Sequence, residues 1–133
     1  MNGKINRPTI LIVDDTPDNI TLLSNLLKDK YNTKVATGGA TALQIVAASP
    51  VDLILLDIMM PDMDGFETCR RLKADARSSA IPVLFLTAKS QSEDEAMGLS
   101  LGAVDFLRKP VNPDVLFARV ALHLRQDKQN NCK

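Results

Sequence analysis

The chain has 133 residues, 45% hydrophobic and 24% charged, with Lys+Arg and Asp+Glu both at 16 for a formal net charge of zero. That is ordinary globular composition for one domain, large enough to bury a core without staples. It excludes disordered, collagen-like and coiled-coil classes, and it leaves no overall basic field for binding nucleic acid. No apolar run is long enough to span a bilayer, and the polar start Met1 to Pro8 lacks the apolar centre of a signal peptide. Two cysteines, Cys69 and Cys132, make no disulfide framework. The simplest expectation is a soluble, cytoplasmic protein.

Short apolar runs alternate with helical patterns along the chain. Thr9 to Val13 is β-branched and apolar and runs into Asp14-Asp15. Thr16-Pro17 then reads as a helix cap followed by proline at the first helical position, with Ile20, Leu23 and Leu27 at helical spacing behind it. A weaker strand fits Thr33–Ala36, and a second helix Gly39–Ala48, stopping before Pro50. Asp52 to Asp57 is the next apolar run, followed by a helix over Phe66–Ala76. Pro82 to Thr87 is a third, followed by a helix over Ser92–Leu101 that closes at Gly102. A weaker strand fits Ala103–Leu107, and a fifth helix starts at Asn112-Pro113 and runs to about Asp127. Runs that are apolar at every position suit strands covered on both faces. Five strand–helix repeats with right-handed crossovers predict an α/β fold, a parallel sheet with helices on both sides.

Sites in such sheets lie at the carboxyl ends of the strands. Asp14 and Asp15 follow the first run, Asp57 ends the third, Thr87 the fourth, and Lys109, then Pro110, follow the fifth. Three carboxylates crowded on one rim repel one another. A hard divalent cation such as Mg²⁺, held by one or two carboxylates with water and a phosphate, relieves that repulsion. A neutralised carboxylate can attack phosphorus, and metal, ammonium and hydroxyl match the oxygens of a transferring phosphoryl group. The chemistry implied is phosphoryl transfer to an aspartate, and these arguments leave open which one.

Taken together, Val13-Asp14-Asp15, Leu56-Asp57-Ile58-Met59-Met60-Pro61-Asp62-Met63-Asp64-Gly65, Leu86-Thr87-Ala88 and Phe106-Leu107-Arg108-Lys109-Pro110 resemble the receiver domain of two-component response regulators, of the chemotaxis-regulator type. The resemblance spans about Pro8 to Gln126, giving a receiver over 8–127 between tails 1–7 and 128–133. It implies a doubly wound, flavodoxin-like five-stranded sheet of order 2-1-3-4-5 with five helices. It makes Asp57 the phosphoacceptor, fed by the phosphohistidine of a sensor histidine kinase or histidine phosphotransfer protein. It implies Mg²⁺ bound by Asp15, Asp57 and the Met59 backbone carbonyl, with Asp14 helping largely through water. Thr87 and Lys109 would contact phosphoryl oxygens, Phe106 would be the switch aromatic, and Lys109–Pro110 would be cis. Met59 and Lys89 flank the site, where the family tunes phosphoryl lifetime. The protein would be no enzyme toward other substrates, catalysing only its own phosphorylation and dephosphorylation.

Each residue has a blander reading: Asp14-Asp15 as helix-start acids, Lys109 as a surface lysine, Thr87 as a strand-end cap, Pro61 to Gly65 as a turn. Their common register on one rim outweighs these. A flavin carrier would need a hydroxyl- and glycine-rich loop after the first strand, where this chain has Asp14 to Asp18. An aspartate-nucleophile phosphatase would place its two acids two positions apart, and a degenerate receiver would lack part of the set. No DNA-binding helix pair, cyclase or kinase segment follows, so the chain reads as a stand-alone receiver or a piece of a longer protein. Asp14 to Ile20 and Ala118 to Leu124 resemble receivers attached to cyclic-dinucleotide enzymes or hybrid kinases. On the fifth helix Phe117, Val120, Ala121 and Leu124 share a face expected to pack on the sheet, with His123 exposed. Val115, Ala118 and Leu122 form a second stripe, read as a partner or dimer surface of the fourth helix, fifth strand and fifth helix. No direct nucleic-acid or membrane contact is expected.

Overall fold

The computed structural model describes residues 7–88 and 92–131. Its elements alternate in chain order: β1 (Thr9–Val13), α1 (Pro17–Leu27), β2 (Asn32–Ala36), α2 (Gly39–Ala48), β3 (Leu53–Asp57), α3 (Gly65–Ala74), β4 (Val83–Thr87), α4 (Ser92–Ser100), β5 (Asp105–Arg108) and α5 (Pro113–Asn131). All strand pairs are parallel, in the order β2-β1-β3-β4-β5. The expected doubly wound α/β architecture is therefore the one observed. Strand order reverses between the neighbours β1 and β3, so a crevice opens beyond their carboxyl ends.

Alternation along the strands builds two cores. Ile10, Ile12, Leu53, Leu55, Leu84 and Leu86 face α1 and α5, meeting Leu23, Leu27, Leu116, Val120 and Leu124. Leu11, Val13, Ile54, Leu56, Val83 and Phe85 face the opposite side, meeting Ala42 of α2 and Cys69 and Leu72 of α3. β3 and β4 are buried at every position, as their unbroken apolar runs imply. Each such aliphatic side chain contributes about 1.5–3 kcal/mol of transfer free energy.

Local chemistry sets the helix starts. Asp64 Oδ1 accepts from the Glu67 N–H at 2.9 Å and opens α3. Asn112 Oδ1 accepts from Asp114 N–H at 2.9 Å and Val115 N–H at 3.3 Å and opens α5. Pro17 stands at the start of α1, but Thr16 makes no side-chain cap. Its N–H instead donates to Asp14 Oδ1 at 2.9 Å, which ties the helix start to the rim.

Several expectations shift. β2 begins one residue early and α3 opens at Gly65 and ends at Ala74. β5 is Asp105–Arg108 rather than Ala103–Leu107, because Gly102, with φ +105°, and the residues after it form the connection. α5 continues past Asp127 to Asn131. Its inner face is rotated from the expected one: Leu116, Val120 and Leu124 are buried, while Phe117 and Ala121 are half-buried at its margin. His123, expected to be exposed, is 8% exposed and lies 2.9 Å from Asp105 Oδ2 through Nε2. Lys89 and Cys132 lie outside the described residues.

Candidate functional site at the strand ends

The polar rim assembles where the strands stop. Asp14, one residue past β1, is fully buried, and Asp57, the last residue of β3, is 5% exposed. Asp15 points outward and is exposed. One oxygen from each of the three carboxylates lies within 4.8 Å of the others. Lys109, reaching in from the end of β5, donates through Nζ to Asp14 Oδ2 and Asp57 Oδ1, both at 3.1 Å. Its own N–H donates to the Thr87 carbonyl at 2.8 Å, which fixes the β5 end to β4. The Lys109–Pro110 bond is cis. Thr87 is buried at the end of β4, with neighbouring Leu86 in register with Asp57.

Electrostatics follow from burial. Withdrawal from water pushes the Asp57 carboxyl above its ordinary range, Lys109 hydrogen bonding pulls it back, and Asp14 repulsion raises it again. The Met59 N–H also donates to Asp57 and favours its charged form. Burial alone would lower the Lys109 ammonium, but its bonds to Asp57 and Asp14 win and raise it. One ammonium thus serves two buried carboxylates, with the exposed Asp15 alongside. An all-oxygen donor set this close, opening to solvent at Asp15, suits a small hard divalent cation that keeps part of its water.

The loop after β3 places the remaining expected residues. Met59 is 77% exposed, so it does not pack against the loop, whereas Met60 is buried and Met63 half-buried. Asp62 adopts φ +69°, and the Met63 N–H donates to the Pro61 carbonyl at 2.7 Å, which turns the chain into α3. A Cβ on Gly65 would overlap the Asp57 carbonyl oxygen and lie 2.8 Å from Ile58 Cα. Only glycine allows α3 to start this close to the strand end.

Phe106 is half-buried and already packed inward. Its ring lies 5.6 Å from that of Phe85, which meets Phe66 edge-on at 5.3 Å. Gly98 of α4 makes room for it, since a Cβ there would lie 2.5 Å from Phe106 Cζ. Sequence reasoning missed a neighbouring cluster: Asp105 accepts from Arg119 Nη1 through both oxygens at 2.7 Å and pairs with His123. The sequence signal was Arg119 and His123, about one turn apart on α5.

A family model, the response regulator receiver domain, matches residues 10–121. The chain belongs to that family. As a receiver it is a phosphoacceptor signalling domain of two-component systems, of a kind that takes its phosphoryl group from histidine kinases and generally binds Mg²⁺ through acidic residues. It is 46% identical over 127 residues to a Vibrio cholerae protein named as a probable cyclic di-GMP phosphodiesterase, covering 96% of this chain and 29% of that protein. It is 47% identical over 112 residues to the response regulator PleD of Caulobacter vibrioides, covering 84% and 25%. Among solved structures, the Vibrio cholerae chemotaxis protein CheY4 superposes with a TM-score of 0.83 at 30% identity, covering 86% of this receiver and 97% of CheY4. The receiver thus spans between a quarter and a third of the length of those two longer relatives. Among the described residues no helix is long and apolar enough to cross a membrane.

Proposed function

We propose that Asp57 is the residue that carries the phosphoryl group. The observation behind this is its place: buried at the end of the central strand β3, 3.1 Å from the Lys109 ammonium and beside two further carboxylates. An Asp57 oxygen attacks phosphorus. The N–P bond of the donor phosphohistidine breaks, and the imidazole leaves with the bonding pair and takes up a proton. The donor is a sensor histidine kinase or histidine phosphotransfer protein. Mg²⁺, held by Asp15, Asp57 and the Met59 carbonyl with Asp14 assisting through water, supplies positive charge to the phosphoryl oxygens when bound. Lys109 exchanges part of its bonding to Asp57 for a phosphoryl oxygen, and the Thr87 hydroxyl donates to another. The same groups promote the attack of water that ends the signal, so the catalysis is confined to the receiver's own phosphorylation and dephosphorylation.

Output runs through α4, β5 and α5. Val115 and Leu122 are each 41% exposed, Met97 is 49% exposed, and an open groove of ≈ 290 Å³ runs between Phe106 and Val115. Movement of Thr87 toward a phosphoryl oxygen relieves the space beside β4, and Phe106 shifts against Phe85 to fill it. This favours a minor conformation of that face, which binds a partner or a second receiver. Neither nucleic acid nor membrane is a direct target, and the setting is cytoplasmic. The likeness to the cyclic di-GMP phosphodiesterase and PleD favours a receiver working within, or alongside, a cyclic-dinucleotide or hybrid-kinase signalling protein. Incubation with acetyl phosphate tests the chemistry: one acyl phosphate per chain should form with Mg²⁺ and none with chelator, and equal labelling in both would refute it.

A further inference from the structure

Two glycines stand in series behind the acidic rim, and only one of them touches it. Gly65 lets the first turn of α3 lie against the Asp57 carbonyl, and its N–H donates to the Ile58 carbonyl at 2.8 Å. Farther out, Gly39 is the first residue of α2 and is buried. A Cβ on Gly39 would overlap the Thr68 hydroxyl and lie 2.8 Å from Met63 Sδ and 3.2 Å from Met63 Cγ. The Thr68 hydroxyl donates to the Asp64 carbonyl at 2.9 Å, so it is fixed in the first turn of α3. Met63 belongs to the loop that carries Met59. Pro61 and Asp62 of that loop are exposed, and Met59 is 77% exposed. The start of α2 is therefore the abutment against which this part of the loop leans.

We infer that Gly39 and Met63 form a positioning contact that sets the β3–α3 loop, and through it the Met59 carbonyl and the Asp57 carboxylate, for Mg²⁺. This rests on the metal reading proposed above. Neither residue touches the ion; both act through the backbone. A methyl group at position 39 has no free volume to enter, because the interior is close-packed. An added methyl must displace the Thr68 hydroxyl, tied to the Asp64 carbonyl, together with the Met63 side chain, and both stand where the loop joins α3.

The experiment is Mg²⁺ titration by calorimetry of the unmodified receiver, Gly39→Ala, Met63→Ala and the double variant, with urea unfolding measured in parallel. Each single change should weaken Mg²⁺ binding by about tenfold, the low end of the roughly 10- to 100-fold carried by outer partners of metal ligands. The double variant should bind no more weakly than the weaker single one, because both changes break the same contact. A purely structural contact would lower stability and leave the Mg²⁺ affinity of the folded variants unchanged. That result, or losses that add, overturns the inference. If Gly39→Ala does not fold, Met63→Ala alone decides, and unchanged affinity there overturns it. An unmodified receiver that binds no Mg²⁺ overturns the metal reading and this inference together.

Discussion

Among the described residues Lys109 is the one cation bonded to the two buried acids, and its removal exposes how the site is balanced. Its ammonium lies 3.1 Å from both Asp14 and Asp57, with only 20% of the side chain exposed. At an effective dielectric of about 20, each contact corresponds to roughly 5 kcal/mol of Coulomb attraction before desolvation is charged against it. Breaking such a pair from one side costs about 3–5 kcal/mol net, because the partner charges stay buried. Lys109→Ala should therefore lose about 3 kcal/mol or more at neutral pH with chelator present, a large share of the roughly 5–15 kcal/mol available. The loss should shrink as pH falls, because Asp57, already raised by burial, takes up a proton sooner once the lysine is gone. Mg²⁺ should narrow the deficit: the ion replaces the missing charge and binds the variant more tightly than the parent, and each tenfold gain in affinity returns about 1.4 kcal/mol at saturation. Urea unfolding of both proteins, with chelator and with saturating Mg²⁺, measures the four stabilities. Equal stability of the two with chelator, or a deficit that Mg²⁺ leaves untouched, would refute this electrostatic balance.

Three further outcomes follow from the same geometry. Asp15→Ala should weaken Mg²⁺ binding by well over the roughly tenfold of an outer partner and slow phosphorylation accordingly; Asp14→Ala should weaken both, and calorimetry showing parental affinity in either would remove that carboxylate from the metal set. Burial pushes the Asp105 carboxyl up, but bonds from His123, Arg119 and the Phe106 N–H outweigh it and hold the group below its ordinary range. The unfolded chain thus takes up this proton first, and the stabilisation is full above about pH 4 and lost as pH falls through the folded value. Asp105→Asn should be less stable at neutral pH with a flatter acid limb, and parallel acid limbs would contradict the assignment. Beryllofluoride with Mg²⁺ should strengthen self-association or partner binding, and Leu122→Glu should abolish the gain while Asp57 still phosphorylates; sedimentation showing an equal gain in the variant rules that face out.

The architecture was legible because the runs in β1, β3 and β4 are nearly all apolar and two helices carry their own starts at Thr16-Pro17 and Asn112-Pro113; the Asp64 cap of α3 reads in the sequence only as part of a turn. Positions at the strand ends then brought Asp14, Asp15, Asp57, Thr87 and Lys109 to one rim, as the structure places them. What sequence could not supply were facts fixed by contacts between distant elements. Asp14 and Asp15 read alike, yet one is fully buried and the other exposed, because Asp14 turns in to accept from Thr16 and Lys109. His123 reads as a surface residue until Asp105 of β5 is placed beside it. The inner face of α5 includes Leu116, which the periodicity reading leaves out in favour of Phe117. Gly39 and Gly65 read as helix and turn glycines, and the close approaches that require them involve Met63, Thr68 and Asp57 across the fold.

Locating the acyl phosphate tests the assignment of Asp57 most directly. The receiver is phosphorylated with acetyl phosphate and Mg²⁺, reduced with borohydride, which converts a phosphorylated aspartate to homoserine, and sequenced by tandem mass spectrometry. The account predicts conversion at Asp57 alone, and none anywhere in Asp57→Asn. Conversion at Asp14 or Asp15, or undiminished labelling of Asp57→Asn, would contradict it.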